Sequence, residues 1–194
     1  LIEREAARLD FSLQREVADW APALAQALLT MAQTPLTPDL RLMDIPRTRR
    51  LDELGFDFPM RGGLTATSQN IALTPRALAD VFRAHPNPQV PEHYLESLER
   101  LGFAPLRGFV TGSIDLVFGH EERWYLADYK SNHLGDYPHH YHPARLPQEL
   151  AHHHYFLQYH LYTVALHRLL RWKLGESYRT KEDYERHFGG VFYL

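Results

Sequence analysis

Gly112-Ser113-Ile114-Asp115-Leu116-Val117-Phe118, then Gly119-His120-Glu121-Glu122, then Trp124-Tyr125-Leu126-Ala127-Asp128-Tyr129-Lys130 is the stretch whose reading decides the fold. Two runs rich in β-branched and aromatic residues flank a short polar segment, which predicts two strands joined by a tight turn. Leu116-Val117-Phe118 and Trp124-Tyr125-Leu126 are apolar on both faces, so the pair is expected to be central and buried. A carboxylate in such a pair is costly unless it is paired or ligates a metal. Strand side chains alternate, so Asp128 and Lys130 point the same way. Asp115, on the preceding strand, is near enough to join them, and Gly112 lets the backbone bend or approach closely.

Two readings of this cluster stay open on spacing alone. Two aspartates and a backbone carbonyl suit a hard divalent cation, which can polarise a phosphoryl oxygen. A lysine beside them can orient an attacking water or stabilise negative charge in the transition state. These are the parts needed for phosphodiester hydrolysis. The other reading is a solvated or buried ion pair, because a D-x-K tripeptide is common and the preceding G-x-x-D adds only moderately to it.

Outward from the hairpin, residues 1–33 read as helical, with Val17, Trp20, Leu24, Leu28 and Met31 on one stripe expected to be core or docking surface. Pro22 should kink that helix or mark a new start, and Pro35 and Pro38 close it. Leu51–Met60 predicts a strand with Leu54, Phe56 and Phe58 alternating. Thr74-Pro75 reads as a capped helix start, ending near His85-Pro86. A short linker follows, then a helix near Glu92–Leu101. Ser131–Pro147 reads as a loop. Leu146–Leu174 is expected as one long helix with Leu157, Leu161, Val164, Ala165 and Leu169 as its apolar face. A short helix near Lys181–His187 leads through Gly189-Gly190 into a last strand. The expected class is α/β: a mixed central sheet with helices on both faces and an N-terminal helical extension.

Composition narrows the classes. The 194 residues are 44% hydrophobic and 12% aromatic, so the chain is globular rather than disordered. The absence of cysteine excludes disulfides and thiolate metal sites. No apolar run approaches the roughly 20 residues that cross a membrane, and no signal peptide is visible. A net charge of -3 gives no overall basic footprint for nucleic acid; Arg47, Arg49 and Arg50 form one local basic cluster, for which a solvated loop is the favoured reading. Neither end looks native, so the chain is expected to be a fragment of a longer polypeptide.

Together, Gly112–Phe118, Asp128-Tyr129-Lys130-Ser131-Asn132, Leu157-Gln158-Tyr159-His160-Leu161-Tyr162 and His187-Phe188-Gly189-Gly190-Val191 resemble the PD-(D/E)xK nucleases. Within them they resemble the C-terminal nuclease domain of RecBCD-type helicase–nucleases, of the exodeoxyribonuclease V type. The resemblance is dense from about residue 107 onward and thin before it. It implies a restriction-endonuclease-like fold forming a single nuclease domain over 1–194, with 1–105 mainly helical extension and first strand and 106–194 the catalytic core. It also implies a Mg²⁺-dependent deoxyribonuclease, Mn²⁺ or Ca²⁺ substituting in binding, that acts as exonuclease or endonuclease in double-strand break repair and recombination. Asp115 and Asp128 would be metal ligands, the Tyr129 carbonyl a third, and Lys130 the catalytic lysine. Gln158 and Tyr162, four apart on one helix face, match the family's Q-x-x-x-Y signature and would lie near DNA. The implied partners are linear DNA unwound into single strands and RecC-like and RecD-like subunits, in the bacterial cytoplasm and with no membrane. ATP would serve only helicase domains outside this sequence, which has no G-x-x-x-x-G-K-[ST] loop.

One departure matters. The family takes a further metal ligand, a histidine, from an upstream helix, and residues 1–33 contain none; truncation just before Leu1 is the expected cause. A nuclease-fold module that docks or binds DNA without cutting is the alternative, although such a module would be expected to lose Asp115, Asp128 or Lys130. The histidines at 139, 140 and 142 and at 152–154 could suggest zinc, but adjacent histidines diverge on a helix. Tyr137, Tyr141 and Tyr155 could stack on unpaired bases or simply pack.

Overall fold

The structure is a computed structural model describing residues 14–60, 73–104, 106 and 108–194, with side chains from residue 20 onward. The predicted helix over residues 1–13 and the side chain of Val17 lie outside the described residues. The chain divides into two compact units, Leu1–Arg50 and Leu51–Leu194.

In the first unit, helix α1 (Gln14–Gln33) runs through Pro22 without a new start. Its expected stripe is not core: Trp20, Leu24, Leu28 and Met31 are exposed, and Ala21 is the buried residue of the helix. A small antiparallel pair, β1 (Pro35–Thr37) and β2 (Leu40–Arg41), follows, with Leu40, Leu42 and Ile45 buried. Arg47 and Arg49 lie exposed on a one-turn 3-10 helix, Arg47–Arg49.

The second unit is built on a four-stranded mixed sheet in the order β3 (Arg50–Pro59), β4 (Phe109–His120), β5 (Arg123–Asp128), β6 (Phe188–Tyr193). In β3, Leu54, Phe56 and Phe58 turn inward as their alternation predicts. Strands β4 and β5 pair antiparallel from Leu116↔Ala127 to His120↔Arg123 around a turn at Glu121-Glu122. Strand β6 pairs parallel to β5, from Trp124↔Phe188 to Asp128↔Tyr193, so the expected mixed sheet is present with the hairpin's second strand at its interior. The parallel register slips by one residue between Trp124 and Tyr125. That slip takes up Gly189, where a Cβ would lie 2.3 Å from the Tyr125 ring. Beyond the strands, the Leu194 N–H donates to the Asp128 carbonyl at 3.0 Å and the Lys130 N–H to the Leu194 carbonyl at 2.7 Å. Lys130 is therefore held as though β5 continued.

The helices are α2 (Pro75–Ala84), α3 (His93–Glu99), α4 (Leu146–His152), α5 (Tyr155–Leu174) and α6 (Lys181–His187). Helix α2 starts where predicted, with Thr74 Oγ1 accepting from the Ala77 N–H at 3.1 Å. The long helix expected over 146–174 is two helices. His154 breaks it with a φ of 55°, in the left-handed region, and the Tyr94 hydroxyl accepts from the Leu157 N–H at 3.2 Å in the first turn of α5. Its expected apolar face is also corrected: Phe156, Ala165, Leu166 and Leu170 are buried, whereas Val164 is exposed. The reason is that α5 serves two cores. Phe156 joins Ala79, Tyr94, Leu98 and Ala151, while Ala165, Leu166 and Leu170 pack on Phe58, Ile114, Val117, Leu126 and Tyr178. Each fully buried leucine contributes roughly 1.5–3 kcal/mol through burial, so these two clusters seat α5 on the sheet.

Candidate active site

The antiparallel ladder ends at Leu116↔Ala127, and the candidate residues collect just beyond it. There the Tyr129 N–H donates to Asp115 Oδ2 at 2.8 Å, so a side chain takes the place of a ladder carbonyl. Asp128 ends β5 with 3% exposure. The Lys130 ammonium forms an ion pair with Asp128 Oδ2 and donates to Gln158 Oε1 at 2.9 Å. It also lies 4.0 Å from the centroid of the Tyr155 ring and 5.3 Å from that of Tyr193, within cation–π range.

Helix α5 supplies the other wall. Tyr155, Gln158 and Tyr162, spaced three and four apart, share one helical face. Gln158 Nε2 donates to the Tyr162 hydroxyl at 3.0 Å, and that hydroxyl lies beside the Asp128 carboxylate. The Tyr193 hydroxyl is 2.8 Å from the Tyr155 carbonyl and 3.3 Å from Gln158 Oε1. The Tyr155 hydroxyl donates to Asn132 Oδ1 at 2.9 Å, and Asn132 Nδ2 meets His153 Nε2 at 3.1 Å. The break at His154 sets the phase of α5 so that this face looks onto the end of β5.

Gly112 has the role of close approach. A Cβ there would stand 2.6 Å from the Phe56 ring. Phe56 stacks on Phe58 with centroids 5.6 Å apart and meets Tyr162 edge-on at 5.9 Å. The glycine thus makes room for the ring that buttresses Tyr162.

Electrostatics concentrate on Asp128. Burial pushes its carboxyl above the ordinary value; the Lys130 ammonium pulls it down, the Asp115 charge pushes it up, and the Tyr162 hydroxyl pulls it down. Burial likewise pushes the phenols of Tyr162 and Tyr193 up, so both stay hydroxyls and can donate. Asp128 Oδ2 is buried against the Lys130 ammonium. A buried carboxylate beside a second one, with the Tyr129 carbonyl nearby in sequence, fits the oxygen-donor set of a hard divalent cation. Among the described residues, no three of His, Cys, Asp or Glu converge to hold a metal ion.

The structure therefore brings together Asp115, Asp128, Tyr129, Lys130, Gln158 and Tyr162. Sequence reasoning missed Tyr193 and did not pair Tyr155 with Lys130. The available signal for Tyr193 was a polar-tipped aromatic near the end of an otherwise apolar strand. The histidines split: His139 and His140 pack ring against ring at 4.2 Å in the loop after β5, while His153 faces Asn132.

A fold of this topology, carrying D-x-K at the end of a buried strand, defines a class of phosphodiester-cleaving enzymes. A family model described as "PD-(D/E)XK nuclease superfamily" matches residues 13–188, and the chain belongs to that superfamily. It is similar to the RecBCD enzyme subunit RecB of Mycobacterium tuberculosis (strain CDC 1551 / Oshkosh), 38% identical over 97% of this chain and 18% of that protein. It is similar also to the RecB subunits of Haemophilus influenzae, 35% over 98% of the chain and 14% of the relative, and Escherichia coli K12, 35% over 91% and 13%. The chain thus spans less than a fifth of the length of these relatives. The likeness reaches well into the N-terminal helical segment, further than the sequence motifs alone indicated.

Proposed function

We propose that this domain hydrolyses DNA phosphodiester bonds as the nuclease element of a RecBCD-type helicase–nuclease, with Asp115, Asp128 and Lys130 as its catalytic residues. The observation that carries this is the meeting of the buried Asp128 carboxylate with Asp115 and a caged lysine. Asp115, Asp128 and the Tyr129 carbonyl would hold Mg²⁺, with Mn²⁺ or Ca²⁺ able to replace it in binding. When bound, such a cation polarises a phosphoryl oxygen and makes water a better nucleophile.

The chain's own residues supply the remainder. Asp115 anchors Tyr129 through its N–H, and the peptide that carries the Tyr129 carbonyl is held from its other side, where the Lys130 N–H donates to the Leu194 carbonyl. Lys130, placed by Gln158 Oε1 and two tyrosine rings, offers a positive charge to the phosphate as negative charge builds on it. Gln158 and Tyr162 border the site and would lie along the DNA backbone. The relatives' printed name, RecBCD enzyme subunit RecB, supports RecC-like and RecD-like partner subunits; the proposal extends to linear DNA delivered as single strands, ATP used only by helicase domains of the parent polypeptide, and work in double-strand break repair in the bacterial cytoplasm.

The test is Mg²⁺-dependent cleavage of linear DNA by the parent polypeptide, wild type beside Lys130→Met. Cleavage lost in the variant is the expected result. Equal cleavage in both would overturn the assignment of Lys130, and none in either would favour a module that binds or docks without cutting.

A further inference from the structure

We infer that Tyr193 is a positioning residue whose hydroxyl fixes the Gln158 amide and, through it, the Lys130 ammonium. The inference rests on the nuclease reading above and extends it to a residue outside the D-x-K and Q-x-x-x-Y signatures.

The argument begins with the orientation of Gln158. Its Oε1 lies 2.9 Å from Lys130 Nζ. An ammonium only donates, so the oxygen and not the amide nitrogen must face it. That leaves Nε2 to donate to the Tyr162 hydroxyl at 3.0 Å. The Tyr193 hydroxyl has one hydrogen and two acceptors in reach, the Tyr155 carbonyl at 2.8 Å and Gln158 Oε1 at 3.3 Å. Shared between them, it ties the first turn of α5 to Gln158. The hydrogen bonds then run in one direction, Tyr193 to Gln158 to Tyr162, with Lys130 as a second donor on the same amide oxygen.

Position makes Tyr193 suited to this. It pairs with Asp128 across the parallel ladder, so its backbone is registered to the strand that carries the acid. Its ring lies 5.4 Å from that of Tyr155, and the two rings together face the Lys130 ammonium. Without the hydroxyl, Gln158 Oε1 has a single donor and the amide is freer to rotate, while both rings remain.

The test uses Tyr193→Phe, Gln158→Ala and the double variant in the parent polypeptide, with two readouts. For Mg²⁺-dependent DNA cleavage, Tyr193→Phe should lower kcat about tenfold with KM unchanged, roughly the effect of one neutral hydrogen bond. In the Gln158→Ala background it should add nothing. The second readout is the rate of Lys130 acylation by acetic anhydride, followed by mass spectrometry, which needs no activity. Both single variants should acylate several-fold faster than wild type. Unchanged acylation in Tyr193→Phe, or a kcat loss that adds to that of Gln158→Ala, overturns the inference. If the wild type fails to cleave, the nuclease reading fails, and acylation alone decides the role of Tyr193.

Discussion

The Asp115 carboxylate accepts the Tyr129 backbone N–H at 2.8 Å, which couples one proposed cation ligand to the residue that carries another. The carboxylate has two separable duties here, holding a peptide and supplying charge. Asparagine can keep the first through its amide oxygen and not the second. Asp115→Asn should therefore unfold within about 0.5 kcal/mol of wild type yet bind Mg²⁺ or Mn²⁺ at least tenfold more weakly by titration calorimetry. Undiminished cation binding would remove Asp115 from the ligand set.

Lys130 is also a stability element. Its side chain is 19% exposed and its partner Asp128 4%. Removing one member of a buried pair costs about 3 kcal/mol, because it leaves the other charge uncompensated. Lys130→Met should lower the free energy of unfolding by about that amount, and adding Asp128→Asn should recover much of it. A double variant no more stable than Lys130→Met would mean that the pair is not what stabilises this end of β5.

Gly112 tests the packing beneath the site. A Cβ 2.6 Å from the Phe56 ring forces a ring that itself touches Tyr162. Gly112→Ala should destabilise by about 1–3 kcal/mol, the usual range for overpacking. Phe56→Leu in the same chain should restore part of the loss, by denaturant unfolding. Additive losses would show that the two positions do not press on one another.

His167 gives a pH signature. Its Nδ1 lies 3.1 Å from the Tyr178 hydroxyl, and burial, with Arg171 and Arg168 nearby, holds the imidazole below its ordinary value. Such a histidine is neutral when folded, and the unfolded chain takes up the proton first as pH falls. Its contribution is full above the unfolded value of about 6.5 and is lost as pH falls through the folded one. The thermal midpoint should decline below about pH 6.5, and less steeply in His167→Asn. An identical slope in that variant would assign the decline to other groups.

What could be read from the sequence follows from where the signal is local. The hairpin, its central place and the shared direction of Asp128 and Lys130 all follow from alternation over neighbouring residues, and Thr74-Pro75 announces its helix through one cap. The break at His154 was hidden because a histidine in the left-handed region leaves no mark that differs from its two histidine neighbours. The apolar face of α5 was misplaced because one stripe was sought where two cores share the helix. Tyr193 escaped because its role depends on a parallel ladder with β5, and pairing between distant strands is not written in either one.

The Leu194 backbone bridges the carbonyl of Asp128 and the N–H of Lys130, and Tyr193 stands beside them. During synthesis, the hairpin leaves the ribosome long before β6 does. A nascent chain that has reached only α5 already holds every proposed acid and the lysine, yet their strand lacks its parallel neighbour, and long-range pairing of this kind forms late. The order of translation itself would then hold the proposed site unassembled until β6 has followed.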